Sequence, residues 1–174
     1  MPTAAPRSTN KTTTRKKTAS TATPDAIKLL KADHDEAEAL FEQFEKSRSP
    51  DKKKQIADKV CMALTVHTMI EEEIFYPACK GEVEDDLLDE AEVEHNGAKQ
   101  LIAEIEAGNP QDELWEAKVT VLSEYIKHHV KEEEQPGGMF AQAKKGDLDL
   151  KALGAAMAVR KDELMAQMAA ARPN

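Results

Sequence analysis

Aromatic residues, glycines and cysteines are all scarce in this chain of 174 residues, which has 4% aromatics, seven glycines and two cysteines. With so few cysteines, a small secreted scaffold held together by disulfides is excluded. No apolar run approaches the roughly 20 residues that a membrane-spanning helix needs, and the first residues contain no apolar signal segment. We therefore expect a cytoplasmic protein that has no membrane partner.

The two cysteines, Cys61 and Cys79, lack the C-x-x-C spacing that is typical of a thiol redox motif. We expect two buried or partly buried thiols that stay reduced in the cytosol. A redox pair is the alternative that the sequence leaves open.

Charge is divided unevenly between the first 23 residues and the rest of the chain. Of 24 basic and 33 acidic residues, five basic and no acidic ones lie in residues 1–23, so the remainder carries a formal charge of −14. An acidic body argues against nucleic acid as the main partner. The tail has almost no large apolar residue, so we predict that residues 1–23 are disordered. A transit peptide and weak binding to nucleic acid or an acidic surface are the alternatives.

Composition and periodicity both predict an all-α fold. Ala, Glu, Lys and Leu dominate the composition, which is typical of helical proteins. Three dipeptides place a capping residue before a proline at the first helical position: Thr23-Pro24, Ser49-Pro50 and Asn109-Pro110. Apolar stripes with helical spacing predict four long helices, at about residues 24–47, 50–78, 84–108 and 110–135.

Short connections make successive helices antiparallel neighbours, so the sequence predicts an up-down-up-down four-helix bundle at residues 24–136. Gly137-Gly138 then breaks the chain. We expect residues 137–174 to form a helical extension that packs on the bundle, with a short helix at 139–145 and a fifth long helix at 149–170. The packing residues of the fifth helix are expected to be Leu150, Leu153, Met157 and Leu164. The protein is expected to be a monomer or a weak dimer.

Each of the four bundle helices carries one histidine on its apolar stripe, and two carboxylates follow a histidine by four residues on the same helix face. A lone histidine there is more often a satisfied core residue than a ligand, but four coincidences reverse that expectation. Burying such groups unpaired is costly, and a bound metal removes the cost. Four imidazoles and two carboxylates suit a pair of first-row transition ions, with iron as the leading candidate. The candidate ligands are His34, His67, Glu71, His95, His129 and Glu133.

Two features of this set are left open by the sequence. His129 and Glu133 lie nearer the end of their helix than the other ligands do. Either the fourth helix continues past Gln135, or that end of the site is less enclosed. His128 and Glu132 have the same spacing as His129 and Glu133, but the apolar stripe favours His129.

Neighbouring polar residues are expected to play smaller parts. Tyr125, one turn before His129, is expected to pack in the core, and donation of a hydrogen bond to a bound oxygen species is the alternative. Four further acids are expected to be solvated, although one of them could join the ligand set: Glu72, Glu73, Glu132 and Glu134.

Four segments together resemble the hemerythrin-like, or HHE cation-binding, domains, and the resemblance covers about residues 24–170. The segments are Asp33–Phe41 (DHDEAEALF), His67–Pro77 (HTMIEEEIFYP), Glu94–Asn96 (EHN) and His128–Glu134 (HHVKEEE). The resemblance implies an up-down four-helix bundle that holds a non-haem di-iron centre. The implied partners are small ligands, namely O2, hydrogen peroxide and nitric oxide.

The resemblance also assigns a role to each candidate ligand by its position in the family pattern. One iron ion would be bound by His34 and His67, and the other by His95 and His129. Both irons would be bridged by an oxo or hydroxo group and by two carboxylates, those of Glu71 and Glu133.

Two departures from the family pattern affect this reading. Animal oxygen-carrying hemerythrins have H-x-x-x-H on the third helix, whereas here Lys99 lies four residues after His95. Unless another group such as a Glu fills the gap, both irons have an open or water-filled position, which favours reactivity with peroxide, superoxide or nitric oxide over reversible oxygen storage. After the fourth helix, Pro136-Gly137-Gly138 is a short insertion, interpreted as a helix stop rather than a flexible flap.

Three functions remain, in order of preference. The first is a di-iron protein that senses, stores or detoxifies oxygen, peroxide or nitric oxide. The second is a di-iron enzyme, either a catalase-like protein that disproportionates peroxide or an iron-centre repair protein, although the N-terminal cysteine-bearing domain usual in such repair proteins is not visible. The third is a structural bundle with zinc or no metal, which the ligand set disfavours.

Overall fold

Four long helices build the body of the computed structural model, which describes residues 24–171. The elements in chain order are α1 (Ala26–Lys46), α2 (Pro50–Ile70), a π-helical segment (Glu71–Phe75), α3 (Tyr76–Cys79), α4 (Asp85–Ala107), α5 (Trp115–Glu134), α6 (Met139–Ala143) and α7 (Leu150–Ala171). These residues contain no β-strand, only an isolated bridge between Lys80 and Val83. The predicted all-α four-helix bundle with an added C-terminal helix is confirmed. The predicted disordered tail lies outside the described residues, and the boundary between residues 136 and 137 stays a prediction.

Helix α2 begins as the sequence predicts, but α1 and α5 begin later. Ser49 caps α2 by accepting a hydrogen bond from the backbone of Lys52, with a proline in the first turn. The cap of α1 is Asp25, which accepts from the backbone of Lys28, and the predicted cap Thr23 lies outside the described residues. The predicted start of the fourth helix at Pro110 is wrong.

A side-chain turn delays the start of α5 to Trp115. Asn109 accepts a hydrogen bond from the backbone N–H of Gln111, while Asp112 accepts one from the N–H of Asn109. Short polar side chains of this kind compete with helical hydrogen bonding for the same backbone groups. Residues 110–114 therefore form turns before the helix begins.

The second helix is interrupted, whereas the sequence predicts one continuous helix at about residues 50–78. At its C-terminal end the backbone N–H of Tyr76 donates to the carbonyl of Glu71, five residues earlier. Such π-helical turns are rare and occur frequently at functional sites. The extra residue per turn changes the direction of every later side chain, and Phe75, Tyr76 and Cys79 all become buried.

Two apolar clusters fill the bundle on either side of the four histidines. One includes Phe41, Phe44, Leu64 and Trp115, and the indole N–H of Trp115 donates to the carbonyl of Ile105. The other cluster lies on the far side of the histidines, and on α1 it includes Ile27 and Leu30. Along α1, α2 and α4 the histidine stands between members of the two clusters. The polar residues thus occupy a layer near the middle of the bundle.

Helix α7 packs across α1, α2 and the π-helical segment. Met157 and Leu164 are buried there and Leu150 and Leu153 are partly buried, as the sequence predicts. A Cβ at Gly154 would lie 2.3 Å from the carbonyl oxygen of Pro24, so only glycine allows this close approach to the start of α1. None of the helices in residues 24–171 is both long and apolar enough to cross a bilayer.

The chain turns sharply after α5 and brings α6 back over the histidine layer. Helix α5 ends at Glu134, and Gly137 adopts a φ of +85°, which glycine tolerates without steric cost. Met139 and Phe140 of α6 are buried in the core. Neither alternative left open by the sequence holds, because the helix does not continue past Gln135 and α6 covers this end of the site. The interpretation of the insertion as a helix stop is confirmed.

Candidate metal centre

All six candidate ligands lie together in the middle of the bundle, and each is at most 6% exposed. The side chains come from α1, α2, the π-helical segment, α4 and α5. His129 belongs to this group, whereas the side chain of His128 is 58% exposed and points to the surface. The apolar stripe thus predicts the inward position of His129 correctly, and its role as a ligand stays a prediction.

The four imidazoles form two close pairs, joined through their Nε2 atoms. The Nε2 atoms of His34 and His67 are 3.2 Å apart, and those of His95 and His129 are 3.3 Å apart. Two imidazole nitrogens at this distance converge on a common point, which is the arrangement that a metal ion requires of its ligands.

Each carboxylate reaches one imidazole of each pair. An oxygen of Glu71 lies 3.1 Å from Nε2 of His67 and 3.4 Å from Nε2 of His95. An oxygen of Glu133 lies 3.3 Å from Nε2 of His34 and 3.7 Å from Nε2 of His129. The two carboxylates thus lie across both histidine pairs.

Three carboxylate oxygens in this layer are buried without a hydrogen bond from the described residues, namely both oxygens of Glu71 and Oε2 of Glu133. The nearby Nε2 atoms are close but are not placed for regular hydrogen bonds. Unpaired buried charge is costly, and buried charges are paired or coordinate metals. Glu71 also belongs to two groups whose ligand atoms lie within 4.8 Å of one another, one with His34 and His67 and one with His95 and His129. The residues present therefore fit a cluster able to hold metal.

The other ring nitrogen of each histidine, Nδ1, faces a carboxylate from a neighbouring helix. Asp33 on α1 lies 3.5 Å from His67 on α2, and Glu72 after α2 lies 3.1 Å from His95 on α4. Each of these acids is the sequence neighbour of a candidate ligand, yet contacts the histidine of the next helix.

The same relation closes around the bundle. Glu94 on α4 lies 2.8 Å from Nδ1 of His129 on α5, and Glu134 on α5 lies 2.8 Å from Nδ1 of His34 on α1. A carboxylate can only accept, so each Nδ1 carries a proton and donates outward, and Nε2 is the nitrogen that faces the position of a metal ion. The expectation that Glu72 and Glu134 are solvated is therefore wrong.

A basic side chain lies beside each of these four acids. Lys161 of α7 pairs with Asp33, and Lys31 pairs with Glu134. Lys99 lies 2.6 Å from Glu72, and His128 lies 3.3 Å from Glu94. Lys99, which stands where animal hemerythrins have a third imidazole, is thus turned outward to an acid and not into the cluster.

Tyr76, like the outer acids Asp33 and Glu94, is a site residue that sequence reasoning missed. Its buried hydroxyl lies 3.1 Å from Oε1 of Glu133 and 3.3 Å from Nε2 of His95. Tyr125, the tyrosine for which the sequence left a hydrogen bond to bound oxygen open, is 42% exposed and lies over Gly97. The prediction that Tyr125 packs in the core is wrong, because the residue faces outward on α5. The π-helical turn that redirects Tyr76 into the core leaves no signal in the apolar periodicity.

The charges in the layer strongly perturb the pKa values of the metal-free site. Burial opposes protonation of His67, but the carboxylates of Glu71 and Asp33 outweigh it and raise its pKa to about 10. Burial likewise opposes protonation of His129, while Glu133 and Glu94 raise its pKa to about 9. In turn, burial raises the pKa of Glu71, but the imidazoles of His67 and His95 hold it well below its usual range.

The two cysteines lie outside this layer. Both are buried and are not joined in a disulfide, so the expectation of buried thiols is confirmed. Burial and the charges of Glu133 and Glu71 raise the pKa of Cys79 to about 12, which keeps it a thiol. A third group of metal-binding type, formed by Glu90, His128 and Glu132, lies on the surface.

Comparison with known proteins also indicates a cation-binding domain. The model of the hemerythrin HHE cation-binding domain matches residues 25–136. Over 106 residues the chain is 26% identical to a protein named DNA nickase from Nostoc sp. (strain PCC 7120 / SAG 25.82 / UTEX 2576), a match that covers 61% of this chain but only 30% of that protein.

A solved structure shares the fold. The crystal structure of a hemerythrin HHE cation-binding domain-containing protein from Mycobacterium kansasii, a homologue of Rv2633c, superposes with a TM-score of 0.69. At 21% identity, the match covers 83% of this chain and 89% of that one. The chain belongs to the family of hemerythrin HHE cation-binding domains.

Proposed function

We propose that the chain binds two iron ions, one between His34 and His67 and one between His95 and His129. The observation that carries this proposal is the position of the two carboxylates, each within 3.7 Å of one imidazole from each pair. A single ion would leave one pair of imidazoles without a role. Two ions would also neutralise the orphaned oxygens of Glu71 and Glu133.

The proposed ligand is a small oxidant or diatomic gas: O2, peroxide or nitric oxide. Ferrous ions held by imidazole and carboxylate supply electrons to such molecules. The four acids that accept from Nδ1 orient the imidazoles and raise their basicity. Tyr76 holds one oxygen of Glu133, and Met139 and Phe140 keep bulk water from the layer.

Sensing, storage and detoxification all use this binding step, and we favour detoxification. The position four residues after His95 is occupied by Lys99 and not by a third histidine. Lys99 pairs with Glu72 and does not enter the layer. A position free of protein ligands supports reaction with peroxide or nitric oxide over reversible oxygen storage. Catalase-like turnover or repair of iron centres is the second candidate, and it uses the same position.

Nicking of DNA is not favoured by this chain. The similarity to the Nostoc protein covers less than a third of that protein's length. The formal charge of this chain is −9, whereas DNA binding is dominated by contacts between basic residues and phosphates.

The proposal is tested by measuring the metal content and the ultraviolet–visible spectrum of protein from iron-supplemented cells. Two irons per chain with iron–ligand charge-transfer bands would support it, and titrations with peroxide and nitric oxide would then separate turnover from binding. Zinc would retain the ligands and reject the redox chemistry, and one metal per chain would reject the two-ion site. A folded protein with no metal would favour the structural function.

A further inference from the structure

A cavity of about 400 Å³ lies between α1 and α5 and reaches the buried ring of His34. Small-molecule sites in proteins have volumes of roughly 300–1,000 Å³. Dioxygen, hydrogen peroxide and nitric oxide each have only two heavy atoms. The cavity is therefore much larger than a ligand of that size requires.

The inner wall of this cavity is also the wall of the metal layer. A second space, of about 10 Å³, lies among the four histidines, which is about the room one water needs. His34, Ile126 and Val130 line both the cavity and this space. One layer of side chains thus separates a molecule in the cavity from the Nε2 atoms of the cluster.

Both apolar and charged side chains line the cavity. Phe41, Ile126 and Val130 form its apolar part. The charged lining residues comprise three acids and two lysines: Asp35, Glu38, Glu134, Lys127 and Lys131. The lysines do not outnumber the acids, so the lining gives no preference to an anion. A neutral molecule with an apolar body fits this lining best.

Ser123 supplies a polar group that lacks a partner. The residue lines the cavity and is 3% exposed, and its Oγ has no hydrogen bond from the described residues. A buried hydroxyl without a partner destabilises the fold. Rotation about χ1, which has three staggered positions, allows the hydroxyl to donate to an oxygen atom in the cavity.

We propose that the cavity between α1 and α5 binds a neutral organic hydroperoxide. The organic group lies against Phe41, Ile126 and Val130, and the peroxy group accepts a hydrogen bond from Ser123 and is directed towards His34. The choice of a peroxide rests on the function proposed above, whereas the cavity, its apolar part and the unpaired hydroxyl do not depend on it.

Binding is tested with cumyl alcohol, the unreactive alcohol that corresponds to cumene hydroperoxide. The alcohol is titrated into the isotope-labelled full chain, with and without metal, while the amide resonances are followed by NMR. We expect saturable shifts confined to α1 and α5. Ile126→Phe, which fills the cavity, should weaken binding at least about tenfold, and Ser123→Ala should weaken it by a smaller factor of about five. Val121→Phe, at an exposed position of α5, should leave the affinity unchanged.

Absence of saturable shifts would overturn the proposal, as would binding that neither cavity variant weakens. If Ile126→Phe fails to fold, Ser123→Ala decides. In the diferrous protein, whose two ferrous ions would supply the two electrons that reduce one hydroperoxide, with two solvent protons, to an alcohol and water, Ser123→Ala should slow reduction of cumene hydroperoxide relative to that of hydrogen peroxide, whereas Val121→Phe should change neither rate. Metal content separates the two proposals. If the chain binds the alcohol but takes up no iron, the cavity proposal stands and the iron site is rejected. If it holds two irons but does not bind the alcohol, the iron site stands and the cavity proposal is rejected.

Discussion

The two histidine pairs offer the same donor atoms in different surroundings. His34 is stacked on the ring of Phe140, with centroids 5.8 Å apart, and its pair borders the cavity between α1 and α5. His95 lies instead beside the hydroxyl of Tyr76. One side of the cluster is thus faced by an apolar ring and a neighbouring cavity, and the other by a hydrogen-bond donor.

The outer layers repeat this difference. The acids behind His34 and His67 are held by two lysines, Lys31 and Lys161. Behind His129, the acid Glu94 lies 3.3 Å from the imidazole of His128 and not beside a lysine. Because the two histidine pairs offer equal donors in unequal surroundings, we expect the two proposed ions to differ in affinity and spectrum. We therefore expect changes to shared ligands to affect both ions, and changes to the surroundings to affect one.

The largest effect is expected for a residue that both sides share. Glu71→Gln removes the charge of a carboxylate that reaches both histidine pairs, so the iron content should fall from two per chain to near zero. Elemental analysis of purified protein measures this. Glu73→Gln, an exposed position on the same π-helical segment that pairs with Arg160, is the matched control and should retain both irons. A Glu71→Gln protein that still holds two irons would show that the carboxylate is not shared.

The stability of the metal-free protein should depend on one histidine from each pair. The pKa values of His67 and His129 are raised to about 10 and about 9, so their stabilising effect is fully present below pH 6.5 and is lost as the pH rises through 9 and 10. The pKa of Glu71 is lowered, so its contribution is present above pH 4.5 and is lost at lower pH.

Chemical denaturation of the metal-free chain between pH 4 and pH 10.5 measures this dependence. The free energy of unfolding should be greatest between about pH 4.5 and pH 6.5. Metal affinity should rise with pH over the same range, because iron must displace the protons on Nε2. A metal-free protein more stable at pH 10 than at pH 6 would contradict the charge pairing within the layer.

Phe140→Ala should affect only the side that α6 covers. The ring contacts His34 and Phe75, so its removal should cost about 3–5 kcal/mol of unfolding free energy and weaken the ion at His34 and His67. Phe44→Ala, a deletion of equal size in the other apolar cluster, is the control for stability. If both variants lose the same stability but only Phe140→Ala loses iron, the cover over His34 has a specific part in holding the ion.

The placement of the six candidate ligands in one layer could be predicted because they follow two local rules. His67 with Glu71, and His129 with Glu133, share a helix face at i, i+4, and each histidine continues an apolar stripe. Burial of all six follows from that pattern. The fold could be predicted for the same reason, since the stripes determine which faces meet.

The outer acids could not be predicted, because their partners lie on other helices. Asp33 and Glu134 are adjacent in sequence to candidate ligands, and consecutive residues on a helix point about 100° apart. They therefore face the neighbouring helix rather than the core. Which histidine they meet depends on the rotation and order of the helices. An acid beside four of the six candidate ligands was the available signal. The π-helical turn that places Tyr76 left no such signal.

A smaller effect is expected from removing one outer acid on either side. Glu134 and Glu94 each lie 2.8 Å from an Nδ1, on His34 and His129 respectively. Replacement of either by Ala should weaken one ion by 10–100-fold, or about 1.4–2.8 kcal/mol, and spare the other. Glutamine retains an oxygen that accepts from Nδ1–H, so Glu134→Gln should recover part of the loss. Stepwise metal titration distinguishes one weakened ion from two.

The two tyrosines of the chain provide the finest comparison. Tyr76→Phe removes the hydrogen bond to Oε1 of Glu133, which should cost about 1 kcal/mol of unfolding free energy and shift the spectrum of the ion at His95 and His129. Tyr125→Phe, at an exposed position, changes the same atom outside the site and should alter neither quantity. Equal effects of the two substitutions would mean that the hydroxyl of Tyr76 does not orient Glu133. Because both sides of the cluster have the same donors, a spectral change confined to the ion at His95 and His129 would be attributable to the hydroxyl oxygen of Tyr76.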